Sequence, residues 1–245
     1  MPFGRHGAQI CPPRVPEGVR LYVIGDIHGC AKLLDQAFAR IDAHLVADPV
    51  VRPIEIFLGD YVDRGPASRS VLNRLIARGQ QSEMICLKGN HETYMESFPD
   101  RPSIWSEWRH NGGFETLMSY GLAPSMRMGP DEEMKLGASF AERLPEAHRR
   151  FLKNLLLSFT CGDYFFVHAG VRPGVSLREQ REDDLLWIRE DFLFCEEPFG
   201  KTIVHGHTPV RQPEIKSNRI NIDTGAYATG QLTCLVLERE RQQFV

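Results

Sequence analysis

The sequence predicts an α/β fold. Three observations point to it: three strand–loop–helix units in the first 90 residues, a return to short strands from Asp163, and polar residues placed where each strand stops. Alternating strands and helices suit a sheet with crossover helices, and open α/β sheets keep their ligands at the carboxyl ends of their strands.

The elements follow in order. "RLYVIGD" (Arg20 to Asp26) is a β-branched, apolar run ending in Gly-Asp. In "AKLLDQAFARIDAHL" the residues Leu33, Leu34, Ala37, Phe38 and Ile41 recur at helical spacing. "IEIFLGD" repeats the strand pattern at Ile54 to Asp60. "SRSVLNRLIARG" then sets Val71, Leu72, Leu75 and Ile76 on one face, with Gly79 as a C-cap. "EMICLKGN" is a third strand running into Gly89 and Asn90.

From about 92 to 155 the pattern is helical. Trp105, Trp108, "NGGFETLMSYG" and "AHRRFLKNLLLSF" predict a helical insertion beside the sheet, with no strand before Asp163. Strands resume at "DYFFVHAG", "KTIVHGHTP", "NRINIDTGA" and "QLTCLVLE". The last two leave no room for a helix between them and predict an antiparallel hairpin. Residues 19–245 read as a single domain behind a Gly- and Pro-containing lead-in, residues 1–18, expected to be flexible.

Composition narrows the function. The 245 residues are 42% hydrophobic and 25% charged, which excludes global disorder and collagen-like or coiled-coil architectures. No run approaches the length of a transmembrane helix, so no membrane partner is expected. Lys and Arg (29) nearly balance Asp and Glu (32), so the chain lacks the basic footprint of a nucleic-acid binder. The six cysteines (Cys11, Cys30, Cys86, Cys161, Cys195, Cys234) are scattered without a Cys-x-x-Cys pair. They read as reduced, mostly buried thiols of a cytoplasmic protein, and the N-terminus lacks the apolar core of a signal peptide.

The chemistry sits at the strand ends: Gly25-Asp26-Ile27-His28-Gly29, Gly59-Asp60-Tyr61-Val62-Asp63-Arg64-Gly65, Gly89-Asn90-His91-Glu92, His168-Ala169-Gly170 and His205-Gly206-His207-Thr208. Taken singly, a Gly-Asp after a strand is a turn, and a core His is a hydrogen-bonded one. Five such ends along one sheet are not independent accidents. Mixed carboxylate and imidazole donors suit Mn²⁺, Fe or Zn²⁺ better than Ca²⁺. Asp26, His28, Asp60, Asn90, His168 and His207 are too many ligands for one ion, and suit two ions sharing a carboxylate. Such a pair can activate a water and hold the oxygens of a phosphoryl group.

These blocks, GDIHG, GDYVDRG and GNHE, with a downstream His and HGHTP, resemble those of the calcineurin-like metallophosphoesterases, in particular the phosphoprotein phosphatase branch in its compact bacterial and phage form. The resemblance spans about residues 20 to 227 and implies a four-layer α/β/β/α sandwich. It implies that Asp26, His28 and His207 bind a first metal, that Asp60 bridges, and that Asn90 and His168 complete a second. The metals implied are two divalent ions, foremost Mn²⁺ with Fe or Zn²⁺ as variants. By the same resemblance His91 protonates the leaving oxygen with Asp63 orienting it, Arg64 clamps phosphate, and a metal-bridging hydroxide attacks phosphorus without a phosphoenzyme.

A second clamp is expected between His168 and His207. By the same resemblance Arg189 in "DDLLWIRE" is the candidate, since short bacterial members carry Arg just after a Leu-Trp pair, with Arg178 and Arg181 as rivals in a solvated loop. His205 reads as support rather than ligand. Asn111, Gly112 and Gly113 fit either the cleft edge or a plain helix N-terminus, and Tyr227 fits either a buried core or a place facing the phosphate.

The expected function is a serine/threonine protein phosphatase acting on a phosphorylated protein or small phosphomonoester. The symmetrical dinucleoside tetraphosphate hydrolases share the framework but typically carry Ala at the position of Asp63 and Asp at that of Glu92. Here both positions follow the protein-phosphatase form, and a symmetrical dinucleoside tetraphosphate or other nucleotide hydrolase is the alternative. A non-catalytic phosphopeptide-binding module is a third reading, disfavoured because His91, Asp63 and every ligand are present. No Cys-x5-Arg loop supports a cysteine phosphatase.

Overall fold

The computed structural model describes residues 12–245. Its first sheet is built from β1 (Val19–Ile24), α1 (Ala31–Ala47), β2 (Arg52–Phe57), α2 (Ser68–Arg78) and β3 (Met84–Cys86). The insertion follows as α3 (Asn90–Ser97), α4 (Trp105–Trp108), α5 (Gly113–Ser119), α6 (Pro130–Arg143) and α7 (Glu146–Lys153). Then come β4 (Ser158–Cys161), β5 (Tyr164–Val167), α8 (Glu182–Trp187), α9 (Glu190–Leu193), β6 (Thr202–His205), β7 (Glu214–Ile215), β8 (Arg219–Asn221), α10 (Ala226–Thr229), β9 (Cys234–Glu238) and β10 (Arg241–Phe244).

Two mixed sheets result, ordered β10-β9-β1-β2-β3 and β4-β5-β6-β8-β7. β1, β2 and β3 are parallel, as are β5, β6 and β8. Strand side chains alternate faces, so each sheet feeds two apolar layers. Leu21, Val23, Ile54 and Ile56 meet Tyr164, Phe166, Val204 and Ile220 between the sheets. Tyr22, Ile24 and Phe57 face outward onto Leu34, Ile41, Val71 and Leu72 of α1 and α2. Phe165, Val167 and Ile203 meet Leu185, Ile188 and Phe192 on the far side. These three layers make the α/β/β/α sandwich. The insertion joins the outer layer of the first sheet through Phe98, Trp105, Trp108, Leu117, Phe140 and Leu152.

Four expectations need correction. The strands ending "NRINIDTGA" and "QLTCLVLE" do not form a hairpin: β8 pairs with β6 and β7, whereas β9 crosses to the first sheet beside β1. A short connector can cross between sheets packed about 10 Å apart, so its length does not fix pairing. The hairpin partner of β9 is the polar C-terminal β10, reached by a turn with Arg239 at positive φ. β4 is a strand before Asp163: the Leu155–Leu157 run leaves α7, and Leu156 pairs with Leu87. Three consecutive leucines satisfy helix and strand alike, and the sheet decides.

The lead-in also differs. Residues 1–11 lie outside the described residues, but Val15 is 3% exposed, its N–H bonds Arg239 O, and Arg14 and Asp163 exchange hydrogen bonds. A buried valine and paired backbone hold residues 12–18 in place. Finally, among the described cysteines all five are free, but only Cys234 is fully buried and the others are half-buried; Cys11 lies outside the described residues. No helix among the described residues is long and apolar enough to cross a membrane.

Candidate active site

The carboxyl ends of β1, β2, β5 and β6, and the helix start after β3, bring the candidate residues together. Asp26, His28, Asp60, Asp63, Asn90, His91, His168 and His207 are all buried. His28, Asp60, Asp63, Arg64 and His207 adopt positive φ, a conformation that costs non-glycine residues energy and is paid for by surrounding packing. The turns aim side chains from separate strands at one point.

Asp60 stands at the centre. Its Oδ2 lies 3.5 Å from His28 Nε2, and its Oδ1 lies 3.5 Å from His168 Nε2. Two groups of possible metal ligands share it: His28, Asp60 and His91, and Asp60, His168 and His207, with the donor atoms of each group within 4.8 Å of one another. Asn90 Oδ1 is 2.9 Å from both His168 Nε2 and His207 Nδ1. His28 Nδ1 and His168 Nδ1 bond the carbonyls of Val62 and Leu58, which fixes their rings and leaves Nε2 for the site.

The resemblance places His207 with Asp26 and His28. Geometry places its Nδ1 instead in the second group, 3.2 Å from His168 Nε2. The physical reason is the backbone: at φ 65° the His207 N–H donates to Asp26 Oδ2 at 3.0 Å, so the main chain faces Asp26 while the ring turns towards α3 and β5. Asp26 sits outside both close groups. Gly206 lets it approach: a Cβ there would fall 2.0 Å from Asp26 Oδ1. His205 is not brought to the site; it packs edge-on against Phe192 with Nε2 near Arg219.

Among the described residues three buried side-chain atoms lack a hydrogen-bond partner, Asp26 Oδ1, His207 Nε2 and Arg219 Nε, and the first two lie at this site. Orphaned buried polar atoms beside shared carboxylates and imidazoles fit a pair of divalent cations. The electrostatics agree. Burial, then Asp223 and Asp60, push the Asp26 carboxyl well up. Burial pulls His28 down to about 3, His207 down to about 2 and His168 below its ordinary value. Neutral imidazoles keep the lone pairs that metals use, and cations would supply the positive charge these carboxylates lack. At Asp60 burial raises the carboxyl, but His168, His91 and His28 outweigh it and hold it ionised.

His91 differs. Burial lowers it, yet Asp60 and the Asp63 hydrogen bond prevail and raise it to about 9. Its Nδ1 lies 2.7 Å from Asp63 Oδ2. An imidazole backed in this way by a buried carboxylate can act as a general acid.

Both arginine candidates reach the rim. Arg64 is exposed, donates from Nη1 to Tyr227 Oη at 2.9 Å and stacks over that ring. Arg189 Nη1 donates to Thr208 Oγ1 at 3.2 Å, beside the His207 carbonyl. Arg178 and Arg181 stay exposed on their loop. Tyr227 is 40% exposed with its ring 5.4 Å from His28, so it belongs to the rim and not to the core. Gly112, in the left-handed region at φ 96°, accepts the Arg64 N–H and packs where a Cβ would fall 2.2 Å from Arg64 N, so it does shape the edge.

Some residues escaped sequence reasoning. Glu92 braces the loops through backbone N–H groups, and the GNHE block carried that signal. Asp223, another acid at a strand end, accepts from Gly225 N–H and is raised by burial to about 6. Trp187, next but one to Arg189, is 40% exposed with its ring 6.4 Å from His207. Trp108 and Thr116 both bond Asp63 from the insertion. Nothing local in the sequence signals contacts that remote.

The calcineurin-like phosphoesterase family model matches residues 19–235. The chain is 26% identical over 231 residues to the bis(5′-nucleosyl)-tetraphosphatase PrpE (asymmetrical) of Anoxybacillus flavithermus, across 87% of this chain and 88% of that one. It is 28% identical over 234 residues to the protein of the same name from Geobacillus sp., across 88% and 89%. A crystallised protein proposed to be a diadenosine tetraphosphatase superposes with a TM-score of 0.62 at 20% identity, across 92% of each chain. A protein serine/threonine phosphatase from Saccharomyces cerevisiae gives 0.52 at 15% identity, across 92% of this chain and 76% of that one. Both superpositions speak to fold alone.

Proposed function

The chain belongs to the calcineurin-like phosphoesterases, and from that premise we propose that it hydrolyses bis(5′-nucleosyl) tetraphosphates with the help of two divalent metal ions. The observation that carries this reading is the likeness, over most of both chains, to the bis(5′-nucleosyl)-tetraphosphatases, 26% to 28% identical over 87% to 88% of this chain. The expectation of a serine/threonine protein phosphatase thus gives way to its alternative, and the relatives' name points to unequal rather than symmetrical cleavage.

Asp26, His28 and Asp60, with Asn90, His168 and His207, would hold the ions, and mixed oxygen and imidazole donors favour Mn²⁺. Bound there, such ions polarise a phosphoryl oxygen and make water a better nucleophile. Arg64 and Arg189 stand at the rim, where guanidinium forks suit the charge of a polyphosphate chain. The half-exposed rings of Tyr227 and Trp187 beside His28 and His207 offer faces for a nucleobase.

A second reading has its own support. The His91–Asp63 pair suits an alcohol leaving group, which needs a proton, more than a nucleotide phosphate, which leaves readily as an anion. Phosphoserine or phosphothreonine is its natural substrate class. The test is a side-by-side assay of the Mn²⁺-loaded protein on diadenosine tetraphosphate and on phosphoserine, phosphothreonine and phosphotyrosine peptides. The leading reading expects the higher kcat/KM on the dinucleotide, with ATP and AMP as products. Two ADP would overturn unequal cleavage, and faster peptide turnover would replace this reading with the second.

A further inference from the structure

We propose that Trp108 and Thr116, both supplied by the helical insertion, are positioning residues for the His91–Asp63 pair. The inference rests on the phosphoester-hydrolase reading above and assigns the insertion a part in serving the leaving group.

Asp63 is 0% exposed, and its carboxylate receives three hydrogen bonds. Oδ2 accepts from His91 Nδ1 at 2.7 Å and from Trp108 Nε1 at 2.8 Å. Oδ1 accepts from Thr116 Oγ1 at 2.6 Å. The Asp63 N–H in turn donates to Thr116 Oγ1 at 2.8 Å, and Ser68 Oγ lies 2.9 Å from that hydroxyl.

An indole N–H only donates, so Oδ2 accepts from it. With Oδ2 accepting from both neighbours, His91 presents its hydrogen at Nδ1. Thr116 Oγ1 already accepts from the Asp63 N–H, so its hydrogen goes to Oδ1 while Ser68 donates to it. Both carboxylate oxygens are occupied, and donors on each side hold the carboxylate plane in place. His91 is thereby fixed with Nε2 directed at the site, 3.8 Å from Asp60 Oδ2.

Water oxygen bonds to phosphorus, the ester P–O bond breaks, the departing oxygen takes the Nε2 proton, and the proton lost by water restores the charge through solvent.

The position of the indole comes from insertion packing. Trp108 lies 5.1 Å from Phe98, 6.1 Å from Trp105 and 6.2 Å from Phe140 between ring centroids. Gly113 lets it fit, since a Cβ there would fall 2.5 Å from the indole. Helices outside the sheet therefore place one of the two donors on Oδ2.

The experiment uses the full chain with its metals loaded. Trp108 is replaced by benzothienylalanine, which keeps the ring shape and loses the N–H; Thr116→Val keeps the shape and loses the hydroxyl; Thr116→Ser keeps the hydroxyl. Each is assayed on phenyl phosphate and p-nitrophenyl phosphate, whose leaving groups differ in acidity, with His91→Asn as reference and metal content measured in parallel. The first two variants should lose about tenfold in kcat on phenyl phosphate, the scale of one hydrogen bond to a charged group, and much less on the nitro ester. KM should hold, and Thr116→Ser should retain the wild-type ratio of the two esters. In proton NMR the His91 Nδ1–H resonance should move in the benzothienylalanine variant.

Equal losses on both esters would mean that Trp108 and Thr116 are merely structural and would overturn the proposal. If His91→Asn shows leaving-group dependence and these variants do not, positioning fails while the acid role stands. If His91→Asn itself affects both esters alike, the acid role falls and the proposal falls with it.

Discussion

The buried carboxylate of Glu92 accepts the backbone N–H of Asp60 at 2.9 Å. The same carboxylate accepts from Gly89 at 2.9 Å and from Tyr61 at 2.8 Å. It therefore ties the loop after β2 to the start of α3 and holds Asp60 in its left-handed turn. Burial, then the nearby Asp60, raises Glu92 to about 8 against the opposing pull of the Tyr61 and Gly89 N–H donors. Glu92→Gln would point amide hydrogens at backbone donors. It should cost about 2–4 kcal/mol in chemical denaturation, as unsatisfied buried donors do. Metal content should fall with it, and a variant that binds two ions as tightly as wild type would show that Glu92 does not set Asp60.

The ions themselves give the next expectation. Chelation should abolish hydrolysis, Mn²⁺ should restore it, and elemental analysis should approach two ions per chain. Asp60→Asn removes the one side chain common to both groups and should lower both occupancies. Gly206→Ala drives a methyl group into Asp26 Oδ1 and should displace that carboxylate, with a stability cost of about 1–3 kcal/mol. Full activity with a single bound ion would end the two-ion account.

The rim arginines are testable separately. Arg64→Ala and Arg189→Ala should each reduce kcat/KM by about tenfold to a hundredfold, the loss of a charge-assisted hydrogen bond, with the melting temperature little changed. Tyr227→Phe removes the hydroxyl that receives Arg64 and should give a smaller loss in the same direction. Arg178→Ala and Arg181→Ala serve as controls. Wild-type kcat/KM in Arg189→Ala, with a loss in Arg181→Ala, would move the second clamp to the loop.

His148 predicts a pH effect on stability away from the metals. Its Nε2 bonds Asn73 Oδ1 at 2.8 Å, so its Nδ1 accepts the Tyr120 hydroxyl at 2.6 Å, and burial, then Arg69, lowers it to about 4. The unfolded chain takes up this proton near pH 6.5, the folded chain only near 4. Stability should therefore be complete above about pH 6.5 and decline as pH falls towards 4, by on the order of 2 kcal/mol. His148→Gln should flatten that part of the urea-denaturation profile. An unchanged slope would assign the acid sensitivity elsewhere.

Much of the site was legible because its residues sit in contiguous blocks. Asp60, Asp63 and Arg64 share one turn, and Asn90, His91 and Glu92 share another, so strand periodicity and motif spacing placed them at sheet ends without coordinates. Arg189 came instead from the family resemblance, and it reaches the neighbourhood of His207 through Thr208. The α/β class, the crossover helices and the helical insertion were likewise written in local periodicity, since a side chain's face is set by its own backbone repeat.

Tertiary structure decided the rest. Whether β9 pairs with β8 or with β1 depends on which sheet has a free edge, and no local pattern encodes that. The Leu155–Leu157 run became extended because Leu87 offered a partner. His207 joined Asn90 and His168, and left Asp26 only its backbone N–H, because of the left-handed turn after β6. Trp108 and Thr116 reached Asp63 across 45 and 53 residues of chain. Sequence determined which chemical groups exist and which face each one takes. Only the packing of two sheets and an insertion determined which groups meet, because hydrogen bonds and metal coordination act over about 2–3 Å and ignore separation along the chain.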